Sequence, residues 1–291
     1  MADAAPSAAE APCGRRGVAL ITGAGSGFGL LTSLELARAG YTAVAGVRTL
    51  AKAAPLLAQA RAEGLDVRVL PLDLDDDASI AAAVVAAEAV GPVEVLVHNA
   101  GVCLLGAVEH IQSQELAQQF STNVFGVVAL SRAVLPAMRA RGRGRIIAIS
   151  SGAVYAPMPM LAAYAASKAA LDAVMDGLRL EVRARGIAVT TLHPGVYRTG
   201  FLGHSDWTAA DQGADSPYAV AFANVQRRNA ESVAAAVGDP RAVAHAVCRA
   251  ALARRPPIQA TVGGDARMTR LLWWLLPRRW WDAIIARYLG V

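Results

Sequence analysis

From Val18 onward the chain alternates short runs of β-branched and aliphatic residues with longer Ala- and Leu-rich stretches whose apolar positions recur at helical spacing. The short runs predict strands at Val18–Thr22, Thr42–Val47, Val67–Leu72, Val95–His98, Arg145–Ser150 and Ala188–His193, with a weaker one at Gln259–Val262. Helices are expected between them, near Phe28–Ala39, Leu50–Glu63, Ala78–Ala89, Gln112–Arg141, Tyr164–Arg185 and Pro240–Ala253. Gly40, Gly64, Gly91, Gly142 and Gly186 fall where those helices would end, as glycine closes a helix without a Cβ penalty. Alternation of this kind builds an α/β fold in which helices cover both faces of a seven-stranded, doubly wound parallel sheet.

Three segments stand outside the rhythm. Residues 1–16 are rich in Ala and Pro and read as a flexible tail before a single domain over 17–264. Residues 200–239 carry Gly203, Gly213 and Pro217 with no clear strand, and read as a partly helical lid over a site. Residues 265–291 interleave Trp273, Trp274, Trp280 and Trp281 with Arg267, Arg270, Arg278, Arg279 and Arg287. That aromatic and basic extension is expected to be a terminal helix packed on the body or on a second subunit, a reading favoured over membrane contact; Pro277 divides it.

The chain has 291 residues, 55% of them hydrophobic and 18% charged, which suits one α/β domain with extensions and excludes fibrous or wholly disordered readings. The net charge of +5 is spread over many segments rather than gathered in a basic stripe, so no nucleic-acid partner is expected. Cys13, Cys103 and Cys248 are odd in number and in no metal-ligand spacing, which argues against a metal site and fits free thiols in a reducing compartment. Without a signal-peptide core or an uninterrupted apolar run of about 18 residues, the sequence reads as cytoplasmic.

Chemistry enters at the end of the first strand. Thr22, Gly23, Gly25, Ser26, Gly27, Phe28 and Gly29 form a glycine-rich turn between that strand and the first helix, where backbone N–H groups can approach a pyrophosphate. Such a turn at the chain start belongs to a Rossmann-like dinucleotide fold. The second strand would end in a carboxylate if NAD were bound, yet here Val47 is followed by Arg48, whose guanidinium pairs with a 2′-phosphate; NADP(H) is therefore expected over NAD(H). Asp73 and Leu74 follow the third strand and are candidates for the adenine side, while Asp75, Asp76 and Asp77 read as a helix start.

Tyr164 and Lys168 are four residues apart, hence on one face of a helix, where a cation favours the phenolate and suits it to acid/base work. Ser150 and Ser151 end a strong β run, placing a hydroxyl at the carboxyl end of a sheet strand thirteen residues before Tyr164. His98, Asn99, Ala100 and Gly101 close the fourth strand, with Asn123 in the helix beyond, and His98 is expected to be a hydrogen-bonding residue rather than a catalyst.

These motifs together, from about Val18 to Val262, resemble the short-chain dehydrogenase/reductase family, nearest its hydroxysteroid and retinol dehydrogenase branch. The resemblance implies that Tyr164 exchanges a proton with the substrate oxygen and that Lys168 holds the nicotinamide ribose and lowers the tyrosine pKa. By the same token Ser151 polarises the carbonyl and Asn123 positions a water. Pro194, Gly195, Val196 and Thr199 would lie near the nicotinamide, and Asn99, Ala100 and Gly101 near the adenosine side. The implied enzyme exchanges a hydride between nicotinamide and an alcohol or ketone, as a homodimer or homotetramer packed through the helices at Gln112–Arg141 and Tyr164–Arg185. Two departures stand out: His98 precedes Asn99 where the family has asparagine, and the glycine turn carries no basic residue.

Substrate is expected to meet Leu104, Leu105, Ser151, Tyr155, Met158, Met160, Tyr197, Phe201 and Trp207. This mostly apolar set has no cation cluster, so a hydrophobic steroid-, retinol- or aryl-ketone-like molecule is favoured. The competing readings are an NAD(H)-dependent member of the same family, and a non-catalytic nucleotide-binding or peripheral membrane protein on this fold. Retention of the tyrosine, lysine, serine and asparagine together weighs against the non-catalytic alternative.

Overall fold

The computed structural model describes residues 16–156, 158–201, 205–212, 215–236 and 238–289. The N-terminal tail expected over 1–16, with Cys13, lies outside these residues except for Arg16, as do Gly203 and Gly213 of the expected lid.

Strands β1 (Val18–Thr22), β2 (Thr42–Val47), β3 (Val67–Pro71) and β4 (Val93–His98) form one half of the sheet, and the segment after β4 contains the two-residue β5 (Leu104–Leu105). Strands β6 (Gly144–Ile149), β7 (Ile187–Pro194) and β9 (Gln259–Val262) form the other half, with the short β8 (Asp206–Trp207) between β7 and β9 in sequence. All seven sheet strands are parallel in the order β3-β2-β1-β4-β6-β7-β9. Their aliphatic runs are continuous rather than alternating because a parallel sheet is covered on both faces. The central β1 and β2 are buried at every position.

Helices α1 (Gly27–Arg38), α2 (Ala54–Ala62) and α8 (Arg241–Leu252) flank the sheet through a core around Leu34, Leu56 and Val247. On the opposite face α3 (Asp77–Val90), α5 (Gly126–Arg141) and α6 (Ala162–Val182) enclose Ile80, Leu130, Met138 and Leu171. This is the Rossmann-like, doubly wound fold. Gly142 and Gly186 end the helical runs before β6 and β7 with φ of +64° and +71°. Asp76 caps α3 by accepting from the N–H of Ala78.

Three local expectations change. The run at Leu50–Glu63 starts as a 3-10 turn over Leu50–Ala53, since Pro55 lacks the N–H an α-helix would use there. The run at Gln112–Arg141 divides into α4 (Ser113–Phe120), a π turn at Ser121–Phe125 and α5. The segment 200–239 contains a strand after all: β8 pairs with β5, Leu104 with Asp206 and Leu105 with Trp207. The same segment continues into α7 (Ala219–Ala235). After β9 the chain forms two short helices, α9 (Gly264–Leu275) and α10 (Arg278–Leu289), separated around Pro277.

Candidate active site

The strand order reverses between β1 and β4, the place where an open α/β sheet leaves a crevice at the carboxyl ends of its strands. A cavity of about 930 Å³ lies there, lined by strand-end residues from Thr22, Val47 and Leu72 across to Ile149 and Pro194.

The glycine turn forms one end. Gly23 and Gly27 have φ of +65° and +52°, conformations that a side chain would strain. A Cβ on Gly25 would sit 3.1 Å from the Lys52 carbonyl. Thr22 Oγ1 accepts from the N–H groups of Asn99 (3.0 Å) and Ala100 (2.9 Å). Asn99 Nδ2 returns the link by donating to the Thr22 and Gly23 carbonyls. Asn99 is therefore a brace for the glycine turn, and its amide is spent on backbone.

Ser26, the N-cap residue of α1, makes no capping hydrogen bond with its side chain, so the helix N-terminus keeps its N–H groups for an anion. Arg48 and Lys52 are exposed and line the same end of the cavity, with Asp73 and Leu74 beside them. Lys52 escaped the sequence reading: it lies outside the glycine motif, and only the 3-10 turn folds its backbone against Gly25. It places a basic residue beside a turn whose own sequence has none. The turn's close approach and its open helix end fit the pyrophosphate of a dinucleotide.

The other end carries the acid/base residues. Tyr164 and Lys168 lie one turn apart in α6, both buried, with Lys168 Nζ 5.9 Å from the Tyr164 ring centre. Lys168 donates to the Ile149 carbonyl at 3.0 Å. Ser151 accepts from the N–H of Ala153 and hydrogen-bonds the Tyr164 phenol. Pro194, Gly195, Val196 and Thr199 line the cavity next to them, with Val196 donating to Asp265 Oδ2 at 2.6 Å.

Burial dominates the electrostatics here. Burial pushes the Tyr164 phenol above its usual range, reinforced by Cys103 and only partly opposed by the Ser151 hydrogen bond. Burial pulls Lys168 down to about 8, with Asp172 and Cys103 pulling the other way. Tyr164 is thus a neutral phenol near neutrality, the form that donates a proton. Cys103, packed against Tyr164, is pushed up to about 12 by burial and is an inert thiol. His98 is pulled down to about 3 by burial and meets Ser131 at 2.8 Å.

Asn123 sits in the π turn with both ends of its carboxamide committed. Oδ1 accepts from the Val102 N–H, while Nδ2 donates to the Val102 carbonyl and to Ser167. Its side chain pins the β4–α4 connection against α6.

Of the expected substrate residues, Ser151, Met158, Tyr197 and Phe201 line the cavity, Phe201 with its ring 5.8 Å from that of Tyr164. The others do not. Leu104 and Leu105 are buried in the β5–β8 ribbon, with Leu105 packed behind Tyr164. Trp207 packs on Phe222, and Met160, at φ +64°, is buried with Ala107 and Val225. Tyr155 packs on the buried His193 and reaches Thr261, off the cavity lining. In their place α7 supplies Val225, Asn229 and Ser232, and the C-terminal helices supply Leu272, Trp281, Ile284, Ile285 and Tyr288. Both sets show helical spacing in the sequence, but spacing does not say which face meets the site.

Residues 17–209 match the sequence model of the short chain dehydrogenases. The chain belongs to the short-chain dehydrogenase/reductase family. It is 32% identical over 280 residues to the uncharacterized oxidoreductase YusZ of Bacillus subtilis, covering 94% of this chain and 98% of that one. It is 33% identical to a 3-ketodihydrosphingosine reductase of Bacteroides thetaiotaomicron, covering 84% and 87%, and to the retinol dehydrogenase 8 of Bos taurus, covering 82% and 79%. A short-chain dehydrogenase from Streptomyces avermitilis superimposes with a TM-score of 0.77 at 30% identity, over 94% of each chain. A metagenomic short-chain oxidoreductase holding NADP (0.68, 26%, 84% and 96%) and a Burkholderia phymatum member holding NAD (0.76, 25%, 89% and 92%) share the fold. As a short-chain dehydrogenase/reductase, this protein is an oxidoreductase of alcohol and carbonyl groups that uses a nicotinamide cofactor.

Proposed function

We propose that the chain is an NADP(H)-dependent reductase of bulky, apolar ketones, working in reverse as an alcohol dehydrogenase. The observation that carries the cofactor assignment is the pair Arg48 and Lys52 at one end of a single cavity whose other end holds Tyr164, Ser151 and Lys168. The cofactor supplies or accepts the hydride. The glycine turn and the head of α1 would hold its pyrophosphate, Arg48 and Lys52 its 2′-phosphate, and Lys168 its nicotinamide ribose.

In the reductive direction Ser151 donates a hydrogen bond to the substrate carbonyl and the neutral Tyr164 phenol delivers the proton to the oxygen. Lys168 stabilises the phenolate that remains. The substrate class rests on the far wall, where Met158, Phe201, Val225, Leu272 and Ile285 offer hydrocarbon and Arg228 is the one cation among the α7 lining residues. The names of two relatives, a ketodihydrosphingosine reductase and a retinol dehydrogenase, point the same way. Exposed Phe125 and Val128 near and in α5, and Leu180 in α6, support a homodimer or homotetramer through those helices.

The test is a fluorescence titration with NADPH and NADH followed by a panel of ketones read at the nicotinamide absorbance. Tighter NADPH binding with faster turnover of bulky apolar ketones than of small polar ones is the expected result. Equal affinity for both cofactors overturns the NADP(H) assignment.

A further inference from the structure

The C-terminal helices are divided between two kinds of aromatic residue. Trp273 and Trp281 face each other edge-on at 5.5 Å, Trp281 is buried, and the Arg278 guanidinium lies 4.0 Å over the Trp273 ring. Those two indoles hold α9 and α10 together. The other two point away, Trp274 at 80% and Trp280 at 65% exposed. Around them Met268, Leu271, Leu272 and Leu275 repeat at positions i, i+3, i+4 and i+7 of α9, all exposed, and Ile284 is exposed in α10. A run of large apolar residues on one outward face departs from a globular surface, where such residues are scattered singly.

Charge selects the occupant. The segment 265–291 carries five arginines against two aspartates. A self-complementary contact with a second copy would bring this basic patch against itself, whereas an anionic surface would neutralise it. Indole rings beside arginines on an amphipathic helix suit the boundary between lipid headgroups and acyl chains. The patch is also continuous with the cavity: Leu272, Ile284 and Tyr288 are exposed and at the same time line it.

We propose that α9 and α10 form a docking face for an anionic lipid surface, with Trp274 and Trp280 inserted at headgroup depth and the cavity opening toward the bilayer. Docking stands on the patch alone. Only the corollary, that apolar substrate enters from the lipid, rests on the reductase reading.

The full chain is mixed with vesicles of phosphatidylcholine, alone or with about one third phosphatidylglycerol, and sedimented. Tryptophan emission and NADPH binding are followed on the same samples, and mass by light scattering. The protein should sediment with the anionic vesicles, with a blue-shifted emission, and only weakly with neutral ones. Trp274→Ser with Trp280→Ser should lower partitioning by about tenfold, and Arg279→Glu by about fivefold or more. NADPH binding should be unchanged in both variants, so a failure of docking and a failure of the cofactor assignment are read separately. The proposal is overturned if the wild type stays in the supernatant, or if both variants sediment as the wild type does. It is overturned equally if the tryptophan pair lowers the mass of a wild-type dimer without changing its partitioning, which would give the patch to a second copy.

Discussion

At the residue scale the active site is governed by what burial does to three groups. Tyr164 is held neutral, Lys168 is held near the edge of losing its proton, and Cys103 behind them is silenced. Replacing Tyr164 by Phe removes the proton donor and leaves the cavity shape, so turnover should fall by about a hundredfold or more while NADPH affinity stays within about twofold. Retained turnover would move the acid/base role elsewhere. Because Lys168 must be charged to hold the ribose and stabilise phenolate, kcat/KM for NADPH should decline as pH rises through about 8. A profile flat from pH 7 to 10 would refute that role. At the opposite end, Arg48→Ala should weaken NADPH about tenfold, and Arg48→Ala with Lys52→Ala further still, with NADH changing less than about twofold. Parallel losses for both cofactors would mean that neither cation meets a 2′-phosphate.

At the scale of elements, the active site depends on where the C-terminal extension joins the sheet. Asp265, in the first turn of α9, accepts the Val196 N–H and lies against Gly195, whose Cβ would run into the carboxylate. Gly195→Ala should therefore displace the loop after β7 and weaken NADPH by about tenfold, and adding Asp265→Gly should restore much of it, since Val196 is exposed enough for water to take its N–H. A double variant no better than the single one would rule the clash out. This joint also shows what could be read from the sequence. Tyr164 with Lys168, the glycine turn and Arg48 are local patterns, fixed by helix spacing or by position at a strand end, and they were visible before any fold was known. Lys52, the α7 face and the α9–α10 wall reach the cavity through packing between distant segments, which periodicity cannot orient. Tyr155 illustrates the converse: it lies between Ser151 and Tyr164 in sequence, yet the backbone turns its ring toward His193 and Arg270, away from the cavity.

At the scale of the whole molecule, the cost of the site is a buried ammonium on α6, beside the carboxyl ends of the sheet strands. Lys168 ordinarily titrates at 10.5 and in the folded protein at about 8, so below pH 8 it is charged in both states and the full burial penalty of about 3 kcal/mol weighs on folding. Between pH 8 and 10.5 the folded lysine is neutral while the unfolded one is still protonated, so the penalty fades as pH rises, and above 10.5 it is gone. Lys168→Met keeps the stem and removes the charge, forfeiting the hydrogen bond to the Ile149 carbonyl at about 1 kcal/mol. The variant should be nearly inactive yet more stable than the wild type at pH 7 by about 2 kcal/mol, a rise of roughly 4 °C in Tm, and that advantage should vanish by about pH 10.5. Thermal denaturation of both proteins at pH 7 and pH 10.5 checks it. A methionine variant no more stable at pH 7 would mean that the lysine sits in the fold without strain, and that its depressed pKa, and with it the alkaline decline in cofactor use, has been misread.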